Sequence, residues 1–140
     1  MLRKITSVVL AVVVAIILVS LVEMVGHRIW PPPTGLDPTN PESVRTAMAQ
    51  MPLGALASVA VAWIVGAFGG GWLGSRVARQ AWPAYVVGGV VMLASIASLV
   101  MLPHPAWFWV VALVLVPLAA HLGGKLGSGP AFPAAPEVNT

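Results

Sequence analysis

The chain has 140 residues, of which 59% are hydrophobic and 8% charged, with a mean hydropathy of +0.94, whereas an ordinary soluble domain is about 25% charged. A water-soluble globular domain is thereby excluded, and a net charge of +3 from seven Lys and Arg against four Asp and Glu is too sparse for a nucleic-acid-binding face. Cysteine is absent, which removes disulfides, thiolate metal sites, iron–sulfur clusters and cysteine nucleophiles together.

A hydrocarbon core of about 30 Å is crossed by roughly 20 apolar residues at about 1.5 Å rise. Four charge-free stretches approach that length, at 5–22, 53–73, 84–102 and 106–122. The predicted fold is all-α, a polytopic bundle of four transmembrane helices over residues 1–126, with a short amphipathic helix in the first outer loop. Arg3-Lys4 followed by an apolar run also suits a cleaved signal peptide, but Ser20-Leu21-Val22-Glu23-Met24 offers no Ala-x-Ala-like cleavage site. An uncleaved signal anchor fits better.

The connection at 23–52 holds three of the four acids, Glu23, Asp37 and Glu42. Pro31-Pro32-Pro33 imposes a stiff, extended exit from the first helix, and Thr34-Gly35 permits a turn. Asn40-Pro41-Glu42 reads as N-cap, N1 proline and first-turn acid of a short helix that carries Val44, Met48 and Met51 on its apolar face and ends before Pro52. Such a helix is expected to lie flat over the outer end of the bundle.

The second apolar stretch carries the most regular pattern in the chain, a small residue at every fourth position: Gly54, Ser58, Ala62, Gly66, Gly70, Gly74 and Ala78. Lipid offers no hydrophobic gain for helix association, so close backbone approach along such a stripe is what brings helices together. The stripe therefore predicts a packing face, with the partner either inside the chain or in a second copy. Shorter versions occur at Ala84 and Gly88, at Ala94 and Ser98, and at Ala119, Gly123 and Gly127.

Pro103-His104-Pro105 separates the last two stretches and makes them an antiparallel hairpin, because two prolines block helix continuation. Pro117 should kink the fourth helix, leaving the Leu113 carbonyl to find another partner. His121, one turn further on, reads as an interfacial side chain. Trp30, Trp107, Phe108 and Trp109 mark one membrane boundary and Trp72, Trp82 and Tyr85 the other, while Trp63 falls mid-helix as bundle filling. Arg3, Lys4, Arg76, Arg79 and Lys125 fall on one side and Arg28 and Arg45 on the other, which predicts cytoplasmic termini. The segment at 127–140, rich in Pro, Ala and Gly, reads as a disordered tail.

The combination Glu23-x3-His27-x2-Trp30-Pro31-Pro32-Pro33-x-Gly35, Pro41-Glu42, Met51-Pro52-x-Gly54-Ala55 and Pro103-His104-Pro105-x-Trp107-Phe108-Trp109 resembles a group of small bacterial four-helix integral membrane proteins with no assigned function. The resemblance implies four spans in a bacterial inner membrane. It brings no activity, substrate or catalytic residue.

Three function classes fit these residues. One is a structural or interaction component, in contact with the bilayer, whose stripe packs a membrane protein partner or a second copy in a homo-oligomer. A second is a small transporter or channel, although the small multidrug resistance family buries its glutamate inside the first helix, whereas Glu23 closes the apolar run. The third is a metal-dependent membrane enzyme or metal-binding protein: Glu23 and His27 share one helix face at i and i+4, and the topology puts His104 on the same membrane side, an acceptable ligand set for a divalent metal. The structural alternative pairs Glu23 with His27 or Arg28 and leaves His104 to cap the proline turn. No other cofactor is expected, and Ser-His-Asp catalysis finds no support: Asp37 sits beside prolines and no nucleophile elbow occurs.

Overall fold

The computed structural model describes residues 2–129. Its order is α1 (Leu2–Ile29), α2 (Pro41–Ala49), α3 (Leu53–Ala78), α4 (Trp82–Met101), α5 (Trp107–Val110), a π-helical turn (Val111–Leu115) and α6 (Val116–Gly127). Four helical stretches are long and apolar enough to cross a membrane: Arg3–Ile29, Leu53–Ala78, Trp82–Met101 and Ala106–Gly127. The last of these joins α5, the π turn and α6 end to end.

Packing is organised around α3, whose most apolar stretch is 44% buried against 17% for that of α1. Its small-residue stripe meets α1 in antiparallel register. A Cβ added to Gly66 would lie 3.0 Å from the Ala15 carbonyl oxygen, one on Gly70 2.6 Å from that of Ala11, and one on Gly74 3.3 Å from that of Ser7. Each four-residue step on α3 is answered by a four-residue step on α1, so both backbones run in contact over about two turns. Toward the other end Gly26 admits Ser58, and Gly54 admits the Trp30 ring.

A second face of α3 is equally bare, and it was not singled out by the period-four stripe. Ala60, Ala67, Gly71 and Ser75 are buried there. A Cβ on Gly71 would come 3.1 Å from the Ala120 carbonyl oxygen, while Gly123 and Gly127 of α6 rest on the carbonyl groups of Phe68 and Trp72. Between the two contacts α4 inserts Ala84, Val87 and Gly88, all buried, with Gly88 facing Ala120. Trp63 fills the middle of the bundle, 6% exposed and edge-on to Phe108 at 5.5 Å between ring centres.

Pro117 distorts its helix in a specific way. It sits in the first turn of α6 directly after the π turn, and the Val116 N–H donates to the Val111 carbonyl, five residues back. The wider ring re-registers the ladder just ahead of the residue that has no N–H to give. At the end of α3, Arg79 adopts φ 56° and ψ 33°, a left-handed C-cap that stops the helix before Pro83 opens α4. Helix α1 runs past Val22 to Ile29, so Glu23 and His27 belong to it, and it stops where Trp30 precedes Pro31. Gly127, assigned to the tail by composition, is the last residue of α6; residues 130–140 of that tail lie outside the described residues.

The register of α1 on α3 makes a sharp test. Gly70→Ala places a methyl group 2.6 Å from a backbone oxygen and 2.8 Å from Ala15 Cβ, so α1 must back away, at a cost of about 1–3 kcal/mol. A Cβ on Gly89 meets nothing within 4 Å. Thermal melting of the full chain in detergent and in lipid should show Gly70→Ala clearly destabilised and Gly89→Ala unchanged; equal melting would mean that α1 does not seat on α3 in this way.

Candidate functional site

A cavity lined by both an acid and a histidine opens between the ends of α1 and α3, at the end bearing the long connection. It measures about 260 Å³ and is walled by Glu23, Gly26, His27 and Trp30 of the α1 end, Pro31–Pro33, Gln50–Pro52, and Ala55, Ser58 and Val59 of α3. Its existence follows from local chemistry. Pro31–Pro33 cannot continue α1 and carry the chain outward in extended form, while Pro52 starts α3 in the extended conformation, φ −64° and ψ 147°. The two stiff exits hold the helix ends apart above the Gly26–Ser58 contact.

Within the cavity the Ser58 and His27 donors are already engaged. The Ser58 hydroxyl donates to the Ala55 carbonyl at 2.7 Å. The His27 Nδ1–H donates to the Glu23 carbonyl at 2.8 Å, which leaves Nε2 of that tautomer as an acceptor. The Glu23 side chain is partly buried and, among the described residues, carries neither a hydrogen bond nor an ion pair. Arg28 lies on another face of α1, with Met24, Val25 and Ile29. Trp30 and Gln50 bring the remaining N–H groups, both uncharged, so the only formal charge in the wall is that of Glu23.

His104 is placed elsewhere. Its Nδ1–H donates to the Leu102 carbonyl at 3.0 Å, its ring lies 4.7 Å from that of Phe108, and it does not line the cavity. Among the described residues no group of three or more His, Asp or Glu side chains comes together to hold a metal. Glu23 is brought to His27 but not to Arg28, and the stripe residues Gly66, Gly70, Gly74 and their neighbours are covered by α1 of the same chain. His121 shares a hydrogen bond of 3.2 Å with Tyr85, a pairing 36 residues apart that no local spacing signals.

The connection beside the cavity is ordered by its own polar groups. Asn40 accepts from the Glu42 and Ser43 N–H groups at the start of α2, at 3.0 and 3.4 Å. Asp37 donates its N–H to Ser43 Oγ, and its carboxylate accepts from both the hydroxyl and the N–H of Thr39, at 2.7 and 2.9 Å. Glu42 and Arg45 pair at 3.6 Å, too exposed to contribute much. The Thr39 hydrogen bonds hold the Asp37 carboxyl below the usual carboxylate range. A depressed folded-state value stabilises the loop above the ordinary carboxylate pKa, and the effect is lost as pH falls through the folded value. The Asp37 carboxyl resonance should thus titrate lower than in a free peptide, and Thr39→Val should move its midpoint upward; an unchanged midpoint would show that the hydroxyl does not hold the carboxylate.

No protein-family model, curated protein or solved structure matches this chain.

Proposed function

We propose that the chain is a four-span integral protein of a bacterial inner membrane that binds a small ligand at its outer end, with both termini cytoplasmic and α2 lying as an amphipathic helix over the outer surface. The reading is supported most by one observation: a cavity of about 260 Å³ in which the only formal charge, Glu23, makes no hydrogen bond or salt bridge among the described residues and has an electrostatic neighbour only in His27 of the same wall. An ionisable group at a membrane helix end is ordinarily paired, and one left open toward a cavity marks a ligand position. The small-residue stripe supports the membrane reading and argues for a self-contained bundle. Gly66, Gly70 and Gly74 are occupied by α1, so a partner could use them only by displacing that helix. An interaction role is thereby shifted from the stripe to what the bundle leaves open.

Because the chain has no cysteine, single cysteines report topology directly. In intact cells Thr34→Cys should react with a membrane-impermeant maleimide, and Gln80→Cys only after the membrane is opened; the reverse pattern would invert the topology, and reaction of both would dismiss four spans. Native mass spectrometry of the full chain, released from membranes in mild detergent, should reveal a small bound species. Ala55→Phe, which fills the cavity wall, should lose it while melting like the wild type. An identical adduct in both proteins would place the ligand elsewhere.

A further inference from the structure

The acceptors in the outer cavity specify more than a ligand of some kind. Glu23 supplies a carboxylate, His27 an Nε2 lone pair, and Ser58 an oxygen whose own proton is already given to Ala55. No Lys or Arg side chain enters the wall. An anion would meet an uncompensated carboxylate, and a neutral apolar molecule would leave that carboxylate desolvated and unpaired, which is costly. A primary ammonium group instead offers a positive charge and three N–H donors against three acceptors. The remainder of the wall, Trp30, Met51 and the prolines, suits a short alkyl stem, and the Trp30 indole favours a cation near its face.

We propose that this cavity binds a primary ammonium group on a short apolar stem, with Glu23 as its counter-ion and Ser58 and His27 as orienting acceptors. The proposal rests on the reading of the chain as a ligand-binding membrane protein and narrows it to one chemistry. Two sources supply that chemistry, a free short-chain amine and the ethanolamine headgroup of a phospholipid. The cavity lies at a helix end and is lined by the Pro31–Pro33 exit, a position that both sources can reach.

The test is calorimetric titration of the full chain in nanodiscs with n-butylammonium and, as the neutral counterpart of equal length, n-butanol. In phosphatidylglycerol discs n-butylammonium should bind. The shape-conserving Glu23→Gln variant should weaken it at least tenfold and Ser58→Ala several-fold, with Glu23→Asp keeping part of the affinity; n-butanol should not compete. Repeating the titration in discs containing phosphatidylethanolamine separates the sources. Weakened amine binding there means that the lipid headgroup is the occupant, and unchanged binding means that the free amine is; either outcome supports an ammonium site.

Equal binding of n-butanol, or indifference to Glu23→Gln and Ser58→Ala, overturns the ammonium assignment while the cavity remains a ligand site. So does stabilisation by zinc that depends on His27. If neither probe binds in either disc and the native protein carries no adduct, the ligand-binding reading fails with it.

Discussion

Close approach of backbones around α3 is the constraint on which the rest of the structure depends. Helices surrounded by lipid gain nothing from hiding apolar side chains, so cohesion must come from dispersion and from Cα–H groups set against carbonyl oxygens, both of which need short distances. α3 achieves this on two faces at once. Gly66, Gly70 and Gly74 sit on the carbonyl groups of Ala15, Ala11 and Ser7, and on the other side Phe68 and Trp72 turn their carbonyl groups to Gly123 and Gly127. With both faces committed, the positions of α1 and α6 are fixed, and α4 has only the seam between them to occupy.

Half of that arrangement was legible as sequence. The stripe from Gly54 to Ala78 keeps a period of four throughout, and its period is what α1 answers. The second face is harder to read because Trp63 interrupts its small residues, and because the answering glycines at 123 and 127 lie at the end of an apolar run, where Gly also signals a helix stop or a tail. Composition therefore placed Gly127 in the tail, whereas contact with Trp72 keeps it in α6. Helix existence was similarly legible from hydropathy, and helix ends were not. Glu23 closes the apolar run without closing the helix, since a charged side chain at a helix end can reach the surface while its backbone continues the ladder; the true stop is set by Pro31.

Pro117 shows how a local rule was correct in kind and incomplete in form. A proline inside a helix must leave a carbonyl unanswered, and a kink with an orphaned Leu113 carbonyl is the simplest outcome. The chain instead widens one turn beforehand into a π segment over Val111–Leu115. Val111 and Ala112 are buried in that segment, so its register is held by tertiary contact with the bundle. Nothing in the spacing of the sequence reports such contact.

The site is a by-product of the same packing rule. Where the stripe is made of Gly66, Gly70 and Gly74, α1 lies with its backbone on α3; at Ser58 and at Gly54, under the Trp30 ring, side chains make the contact instead. The prolines on either exit keep the helix ends from closing the gap, and the connection, tied by Asp37, Thr39 and Ser43 to the start of α2, keeps its own polar groups occupied away from it. Glu23 is thus left facing a space whose width is set by rigid backbone and in which the Ser58 and His27 protons are already committed. The spacing of Glu23 and His27 marked the residues but not the chemistry: the Ser58 and His27 protons are given to carbonyl groups of their own helices, and only the meeting of α1 with α3 brings the acceptors left over to one cavity. The proposed ammonium occupant follows from this placement: it would answer the carboxylate with a charge and the apolar wall with a short stem.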